Sequence, residues 1–184
     1  AATPAQAAAC STSVQNRHTA TAAGTAKVGS TLTATLTTSS GTLGTATGLT
    51  WYRAGTAIPG ATAQTYTLTA ADLAKTLTVA IAVKYQSFLS SCTFTKTSAA
   101  TASVANGDLL AATPTMSGTA KVGSTLSADT GGWSPAPAFT YQWNRGGTPV
   151  AGATLPTYVP TVADAGATLT VTVTGTLAGY TTAT

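Results

Sequence analysis

Four aspartates and one histidine are the first candidates in this chain for acid–base chemistry or metal binding: Asp72, Asp108, Asp129, Asp164 and His18. Acid–base or nucleophilic catalysis requires such groups within hydrogen-bond distance of one another. A calcium or zinc site likewise requires clustered ligands. The five residues are scattered, glutamate is absent, and no Gly-rich phosphate loop, C-x-x-C or H-x-x-x-H pattern occurs. The sequence therefore predicts a protein that is not an enzyme and needs no metal or other cofactor.

Two of these aspartates lie in matching contexts, Asp72 in T-A-A-D and Asp164 in T-V-A-D. A side chain that caps the turn before a long strand is the role we expect for both. Arg53 and Arg145 also occupy matching positions, and we expect them to pair locally or to be solvated. His18 has no candidate partner nearby in the sequence, so we expect it to be a solvated loop residue.

Two cysteines, Cys10 and Cys92, bear on the compartment in which the protein folds. A disulfide is the natural interpretation in an oxidising compartment, and two free buried thiols are the alternative. The first residues, A-A-T-P-A, are typical of a mature N-terminus left after signal-peptide removal. No apolar run approaches the roughly 20 residues of a membrane-spanning helix. We therefore expect a secreted or cell-surface protein with a Cys10–Cys92 disulfide and no membrane insertion.

Charged residues make up only 7% of the chain, and its formal net charge of +4 comes from Lys and Arg residues that do not cluster. Nucleic-acid binding requires a dense basic patch. Since the cationic residues of this chain do not cluster, we expect no nucleic-acid partner. Thr and Ala dominate the composition, whereas the helix formers Glu, Lys, Gln and Arg are scarce or absent. Because Thr is β-branched and suits the surface of a pleated sheet, the composition favours an all-β fold.

An internal repeat determines the predicted architecture. The nine residues G-T-A-K-V-G-S-T-L at positions 24–32 recur unchanged at positions 118–126. Further matches follow in the same order: W-Y-R with W-N-R, G-A-T with G-A-T, Tyr66 with Tyr158, and L-T-V with L-T-V. Within each repeat apolar residues alternate with Thr or Ala at a period of two, and Gly/Pro clusters separate these segments. The pattern predicts two copies of one domain built from short strands.

Trp51 and Trp143 lie at matching positions on the third predicted strand of each repeat. An immunoglobulin-type (Ig-type) sandwich places its core tryptophan there. We therefore expect both rings in the core, rather than on the surface as platforms for sugar stacking. Several short strands with one central Trp predict a Greek-key sandwich of two sheets.

The order of these motifs resembles the Ig-like repeats found in tandem in actinobacterial cell-surface and secreted proteins. The resemblance covers residues 20–104 and 113–184, and its longest motif is G-G-W-S-P-A-P-A-F-T-Y-Q-W-N-R. It implies tandem sandwiches that act as spacers and stalks, often beside catalytic or adhesive domains. We accordingly divide the chain into an N-terminal extension (1–19), Ig-like repeat 1 (20–105), a linker (106–112) and Ig-like repeat 2 (113–184).

Trp133 lies in a Gly/Pro loop of repeat 2 and has no tryptophan counterpart in repeat 1. It is a candidate surface contact, because an exposed ring in a loop could stack on a ligand. The alternative is a packed ring that plugs the loop. The resembling repeats carry a Trp here, which favours the packed ring.

Repeat 2 is predicted to lack its last strand. Repeat 1 continues past Cys92 through residues 93–104, whereas the counterpart of Cys92 is Thr184. A missing strand would expose a sheet edge that proteins normally cover. The N-terminal extension has no counterpart in repeat 2, so it could complete the open sheet of another copy, a head-to-tail contact that grows as a filament. The alternative is a chain that is simply truncated.

Two functions stay open at this point. The first is a non-catalytic extracellular structural protein, a stalk or filament subunit, whose partners are copies of itself or neighbouring repeats. The second is an adhesive module of a larger secreted protein that binds cell-surface polysaccharide. Assembly requires complementary ends, whereas carbohydrate binding requires an exposed aromatic patch, and the sequence shows the first more clearly.

Overall fold

Alternating Thr and apolar residues form β-strands throughout the computed structural model, which describes residues 8–88 and 91–184. The fold is mostly β with several antiparallel sheets, and the described residues include one short helix, α1 (Thr12–Asn16). The chain divides into two compact units, unit 1 (Ala1–Asn106) and unit 2 (Gly107–Thr184). The predicted β class is confirmed.

Unit 1 is built from two sheets. Its described strands are β1 (Ala8–Ala9), β2 (His18–Ala23), β3 (Thr31–Thr38), β4 (Thr45–Arg53), β5 (Thr56–Ala57), β6 (Thr65–Thr67), β7 (Leu77–Gln86) and β8 (Ser91–Thr97). One sheet has the order β1-β8-β7-β4-β5 and the other has the order β2-β3-β6. Neighbouring strands are antiparallel, apart from β1 and β8, which are parallel. A 3₁₀ turn at Ala70–Asp72 precedes β7.

The core of unit 1 contains apolar side chains from both sheets. Leu32 on β3, Trp51 on β4 and Val79 on β7 are fully buried. The ring of Trp51 stacks on Tyr66 of β6 with 5.7 Å between ring centroids, so the two sheets contact each other through aromatic side chains. Burial of each large aliphatic side chain in this core contributes roughly 1.5–3 kcal/mol to the stability of the fold.

Unit 2 repeats most of this pattern. Its strands are β9 (Gly107–Asp108), β10 (Thr115–Ser117), β11 (Leu126–Asp129), β12 (Ala138–Arg145), β13 (Thr148–Pro149), β14 (Thr157–Tyr158), β15 (Leu169–Thr176) and β16 (Tyr180–Thr181). Three sheets result, with the orders β10-β11-β14, β13-β12-β15 and β16-β9. Trp143 on β12 is fully buried and stacks on Tyr158 of β14, as Trp51 does on Tyr66. A 3₁₀ turn at Val162–Asp164 precedes β15.

The two segments predicted to lie outside the repeats are built into the units. In the predicted extension, β1 pairs with β8 and β2 begins at His18, while residues 1–7 lie outside the described residues. In the predicted linker, β9 pairs with β16 and Leu110 pairs with Ser134. The compact units therefore include residues of both segments. The pairing partners of these short segments lie far away in the sequence.

The predicted equivalence of Cys92 and Thr184 is wrong. Val83 of β7 pairs with Phe94, whereas Gly175, the counterpart of Val83, pairs with Ala183. The connection after β15 is therefore shorter than the hairpin that joins β7 to β8. Beyond this single bridge, β15 has no strand on its outer side among the described residues.

Candidate functional site

A cluster of charged and hydroxyl side chains joins the two sheets of unit 1. The carboxylate of Asp72 is fully buried and accepts a hydrogen bond of 2.6 Å from Nε of Arg53, at the end of β4. It also accepts bonds from the backbone N–H and the hydroxyl of Thr69, at 2.7 and 2.9 Å, and from the hydroxyl of Tyr66 at 3.1 Å. Asp72 therefore caps the 3₁₀ turn, as its context predicts, and Arg53 pairs locally.

Unit 2 contains the same cluster at matching positions. Asp164 accepts hydrogen bonds from Nε of Arg145, from the hydroxyl of Tyr158 at 2.8 Å, and from the backbone N–H and hydroxyl of Thr161 at 2.7 and 3.0 Å. Its side chain is 1% exposed, whereas that of Arg145 is 36% exposed. Both oxygens of each carboxylate thus accept at least one hydrogen bond from within the unit. The cluster of unit 1 connects β4 to the turn that precedes β7, and the cluster of unit 2 connects β12 to the turn that precedes β15.

The hydrogen bonds of Asp72 together affect its pKa more than its burial does. Burial raises the pKa of Asp72, but bonds from Arg53, Thr69 and Tyr66 stabilise the charged form and hold that pKa below its ordinary value. The hydroxyl of Tyr66 shows the reverse effect, because burial and the nearby Asp72 raise its pKa. Tyr66 therefore stays protonated and acts as a hydrogen-bond donor.

The carboxylate of Asp164 is stabilised in the same sense. The backbone N–H of Thr161 is the main reason why the pKa of Asp164 lies far below its ordinary value; burial opposes this shift, and Arg145 and Tyr158 add to it. Burial raises the pKa of Tyr158, and its bond to Asp164 raises it further. The sequence marked both tyrosines as repeat landmarks but did not predict their place in these clusters.

The two repeat tryptophans are fully buried and hydrogen-bonded. The indole N–H of Trp51 donates to the carbonyl of Ala63 at 2.9 Å, and that of Trp143 donates to Leu155 at 2.9 Å. Each ring is 0% exposed. Neither ring has a face open to a sugar.

The expectation that His18 is a solvated loop residue is wrong. His18 begins β2 and is 2% exposed. Its Nε2 accepts the N–H of Gly44 at 3.0 Å, and its Nδ1 lies 2.8 Å from the carbonyl of Val14, which assigns the ring proton to Nδ1. The ring packs edge-on against Phe94 and Tyr85. Because backbone groups occupy both ring nitrogens, His18 has no nitrogen free for catalysis or metal binding.

Trp133 is not the candidate surface contact that its loop position predicted. It is 7% exposed and packs edge-on against Phe139 with 5.4 Å between ring centroids. The ring also lies on Gly175, where a Cβ would lie 2.5 Å from ring carbon Cζ3. The packed-ring alternative therefore describes this residue. The ring of Trp133 occupies the space that a side chain at position 175 would need.

Cys10 and Cys92 form a disulfide with 5.0 Å between their Cα atoms. Both residues are buried, at 6% and 8% exposed. The bond lies beside the parallel pairing of Ala8 with Cys92 and joins the segment after β1 to β8. It closes a long loop that includes most of unit 1.

The core of unit 2 is open along one side. Val122 is 43% exposed, whereas its counterpart Val28 is 5% exposed. Leu169 on β15 is half-buried, whereas its counterpart Leu77 on β7 is fully buried. These exposed apolar side chains were not predicted individually, although the prediction of a missing strand implied an open sheet edge.

The outer backbone edge of β15 lies at the same opening. In unit 1 the N–H of Val79 donates to the hydroxyl of Ser98, and the N–H of Leu77 donates to the hydroxyl of Thr101. The residues that follow β8 therefore satisfy the edge of β7. Val171, the counterpart of Val79, is half-buried and has no such partner in the described part of unit 2.

No group of three or more His, Cys, Asp or Glu side chains within residues 8–88 and 91–184 is arranged to hold a metal ion. No helix in that part of the chain is long and apolar enough to cross a membrane.

No protein family, curated protein or solved structure matches the chain.

Proposed function

We propose that the chain is a non-catalytic extracellular structural protein, a stalk or filament subunit, built from two tandem Ig-like Greek-key sandwiches. The observation that carries this proposal is the recurrence of one structural cluster, Arg53 with Asp72 in unit 1 and Arg145 with Asp164 in unit 2. A buried charge pair that recurs in each repeat serves the fold of the repeat. The chain thus uses half of its acidic side chains to hold its sheets together.

The strand order supports the Ig-like assignment. An Ig-type sandwich pairs its first, second and fifth strands in one sheet and its third, sixth and seventh strands in the other. In unit 1 the sheet β2-β3-β6 and the run β8-β7-β4-β5 have this arrangement. The buried Trp51 on β4 contacts the opposite sheet, as the core tryptophan of an Ig-type sandwich would.

The disulfide supports an extracellular location. Disulfides persist in oxidising compartments and are rare in the cytosol of mesophiles. The bond between Cys10 and Cys92 closes a loop with a sequence separation of 82. Such a bond stabilises the folded unit by restricting the unfolded chain.

The tryptophans do not support the carbohydrate-binding alternative. It requires an aromatic platform on the surface, but Trp51, Trp133 and Trp143 are at most 7% exposed. A sugar-binding role would therefore need a different set of side chains from those that the sequence suggested.

Sedimentation velocity and negative-stain imaging of the intact chain test the structural role. We expect head-to-tail oligomers that lengthen as the concentration rises. A chain that stays monomeric at high concentration and binds one polysaccharide saturably on a glycan array would overturn the proposal.

N-terminal strand donation stays a prediction. Ala8 and Ala9 pair with β8 of their own unit, so donation to another copy would draw on residues 1–7, which lie outside the described residues. Deleting residues 1–7 leaves this pairing and Cys10 intact. Oligomers that persist after the deletion would exclude the N-terminus as the donor, while leaving the structural role in place.

A further inference from the structure

A surface groove occurs at the same place in each unit, between the segment that follows the short strand β5 or β13 and the strand β6 or β14. In unit 2 the groove extends from residues 150–155 to β14 and has a volume of about 460 Å³. In unit 1 it extends from residues 58–63 to β6 and has a volume of about 320 Å³. Each residue that lines the groove of unit 1 has its repeat counterpart in the lining of unit 2. The repeat therefore forms one groove twice.

The groove of unit 2 carries larger aliphatic side chains than the groove of unit 1. Leu155 and Val159 lie where unit 1 has Ala63 and Thr67. Leu155 is 66% exposed and Val159 is 49% exposed, so most of neither side chain is used in the core. Since unit 1 forms the same strands with an alanine and a threonine at these positions, the fold does not require the aliphatic groups. Exposed aliphatic side chains that line a groove are typical of a ligand site.

A cationic side chain also lines the groove of unit 2. Arg145 belongs to this lining and its side chain is 36% exposed, whereas Arg53 does not line the groove of unit 1 and is 28% exposed. A guanidinium has five N–H donors. Arg145 uses Nε for Asp164 and interacts with Tyr158, which leaves donors for an oxygen anion in the groove. No acidic side chain is present among the described residues that line it.

An unpaired backbone edge forms the third part of the groove. The carbonyl of Pro156 accepts the N–H of Ala128, on β11, at 2.8 Å. Because successive residues of an antiparallel strand direct their backbone groups to opposite sides, those of Thr157 and Val159 point away from β11. Within the described residues no strand pairs with β14 on that side. The N–H and C=O groups of these two residues are therefore available to an extended segment.

We propose that the groove of unit 2 binds the C-terminus of a polypeptide that ends in an aliphatic residue. The carboxylate receives hydrogen bonds from Arg145, the aliphatic side chain packs against Leu155 and Val159, and the preceding backbone pairs with the edge of β14. A fatty acid would use the cation and the aliphatic side chains but would leave the backbone edge unpaired, so the edge favours a polypeptide. This binding site is additional to the proposed structural role and does not depend on it.

A peptide G-T-A-T-L with a free C-terminal carboxylate and an N-terminal fluorescein tests the ligand class. It is titrated with the intact chain and followed by fluorescence anisotropy, and we expect saturable binding. A C-terminal amide should weaken binding about tenfold, because it removes the charged partner of Arg145. The peptide G-T-A-T-S should bind about tenfold more weakly as well, because it loses the aliphatic contact. Absence of binding, or a first peptide that binds no better than either control, would overturn the proposal.

Octanoate distinguishes a polypeptide from a fatty acid as the source of the carboxylate. It carries the charge and an aliphatic chain but no peptide backbone. We expect it to displace the labelled peptide only at concentrations about tenfold or more above those at which the unlabelled peptide does so. Displacement at equal or lower concentrations would overturn the assignment to a polypeptide.

Two variants that introduce unit 1 residues into unit 2 locate the site. Leu155→Ala combined with Val159→Thr should weaken peptide binding about tenfold or more, with thermal unfolding unchanged because both side chains are exposed. Met116→Ala is the matched control, because Met116 is 45% exposed, lies outside the groove and has Ala22 as its counterpart. Unchanged binding by the double variant, or an equal loss in the control, would contradict the proposal.

Hydrogen exchange on the unmodified chain gives evidence that does not depend on any variant. The N–H groups of Thr157 and Val159 should gain protection when the G-T-A-T-L peptide is bound. Those of Thr65 and Thr67, at the same positions of unit 1, should exchange as before and serve as the internal reference. Protection that is absent from β14, or equal in β6 and β14, would show that the aliphatic and cationic side chains of unit 2 do not form the site.

Discussion

The indole ring of Trp133 lies directly on Gly175, so that a Cβ at this glycine would be 2.5 Å from Cζ3 of the ring. The counterpart of Gly175 in unit 1 is Val83, and there the close neighbour is another glycine, Gly44. Each unit thus places one larger side chain against one glycine. In unit 1 the side chain is Val83 of β7 and the glycine is Gly44, whereas in unit 2 the glycine is Gly175 of β15 and the side chain is Trp133. The two cores reach similar packing through opposite choices of residue.

Adding one methyl group at Gly175 should therefore destabilise unit 2. Gly175→Ala forces the ring of Trp133 to move, at a cost of about 1–3 kcal/mol. Gly132→Ala is the matched control, because no atom lies within 4 Å of the Cβ that it would add. Urea unfolding followed by tryptophan fluorescence measures both, and equal midpoints for the two variants would refute the packing described here.

Truncation of either repeat tryptophan should be far more damaging. Trp51→Ala and Trp143→Ala each leave a large cavity and remove an indole hydrogen bond, at a cost of roughly 3–5 kcal/mol. That loss is comparable to the total stability of a small domain. Thermal unfolding should show the affected unit melting much earlier, with Trp→Phe variants in between. An unchanged melting curve for Trp143→Ala would mean that the ring is not in the core.

The repeated aspartates should make stability sensitive to acid. The pKa values of Asp72 and Asp164 are lowered by folding from an ordinary value of 3.8, so their contribution is present above that pH and is lost as the pH falls further. We expect the free energy of unfolding to be flat near neutrality and to fall below about pH 4. Asp164→Asn should reduce this acid dependence.

Asp129→Asn serves as the control for that measurement. Asp129 is exposed and accepts a single bond from Gly131, so its replacement should leave the acid dependence unchanged. Identical pH profiles for the Asp164→Asn variant and the unmodified chain would show that the cluster does not stabilise unit 2.

Reduction of the disulfide should destabilise unit 1. Closing a loop with a sequence separation of 82 restricts the unfolded chain, which the chain-entropy model values at on the order of 4 kcal/mol. Unfolding with and without reductant measures this difference, and Cys10→Ser with Cys92→Ser should reproduce it. Mass spectrometry without reductant checks the bond itself, and two free thiols would disprove it.

Side chains that form repeating patterns were predictable from the sequence. The alternation of apolar residues with Thr or Ala located the strands, and the paired W-x-R motifs indicated where Trp51 and Trp143 would lie. The matching T-x-A-D contexts predicted that Asp72 and Asp164 would cap turns. Each of these features is local, so it leaves a mark in the residues around it.

Features that depend on backbone hydrogen bonds or on residues far along the chain were not predictable. His18 is buried because the carbonyl of Val14 and the N–H of Gly44 satisfy its ring, and backbone groups carry no residue pattern. Trp133 is buried because a side chain is absent at Gly175, far along the chain. The hairpin after β15 is shorter than the one after β7. The constant offset between the repeats therefore matched the residues after this hairpin incorrectly.

In the structural role proposed above, the disulfide would have a mechanical consequence. Tension that enters through the residues before Cys10 and leaves through those after Cys92 passes across one covalent bond. The residues between the two cysteines, about 280 Å of extended chain at roughly 3.4 Å per residue, cannot be pulled out while that bond is intact. Oxidation thus sets how far unit 1 can lengthen under force, and a reducing agent would release that hidden length.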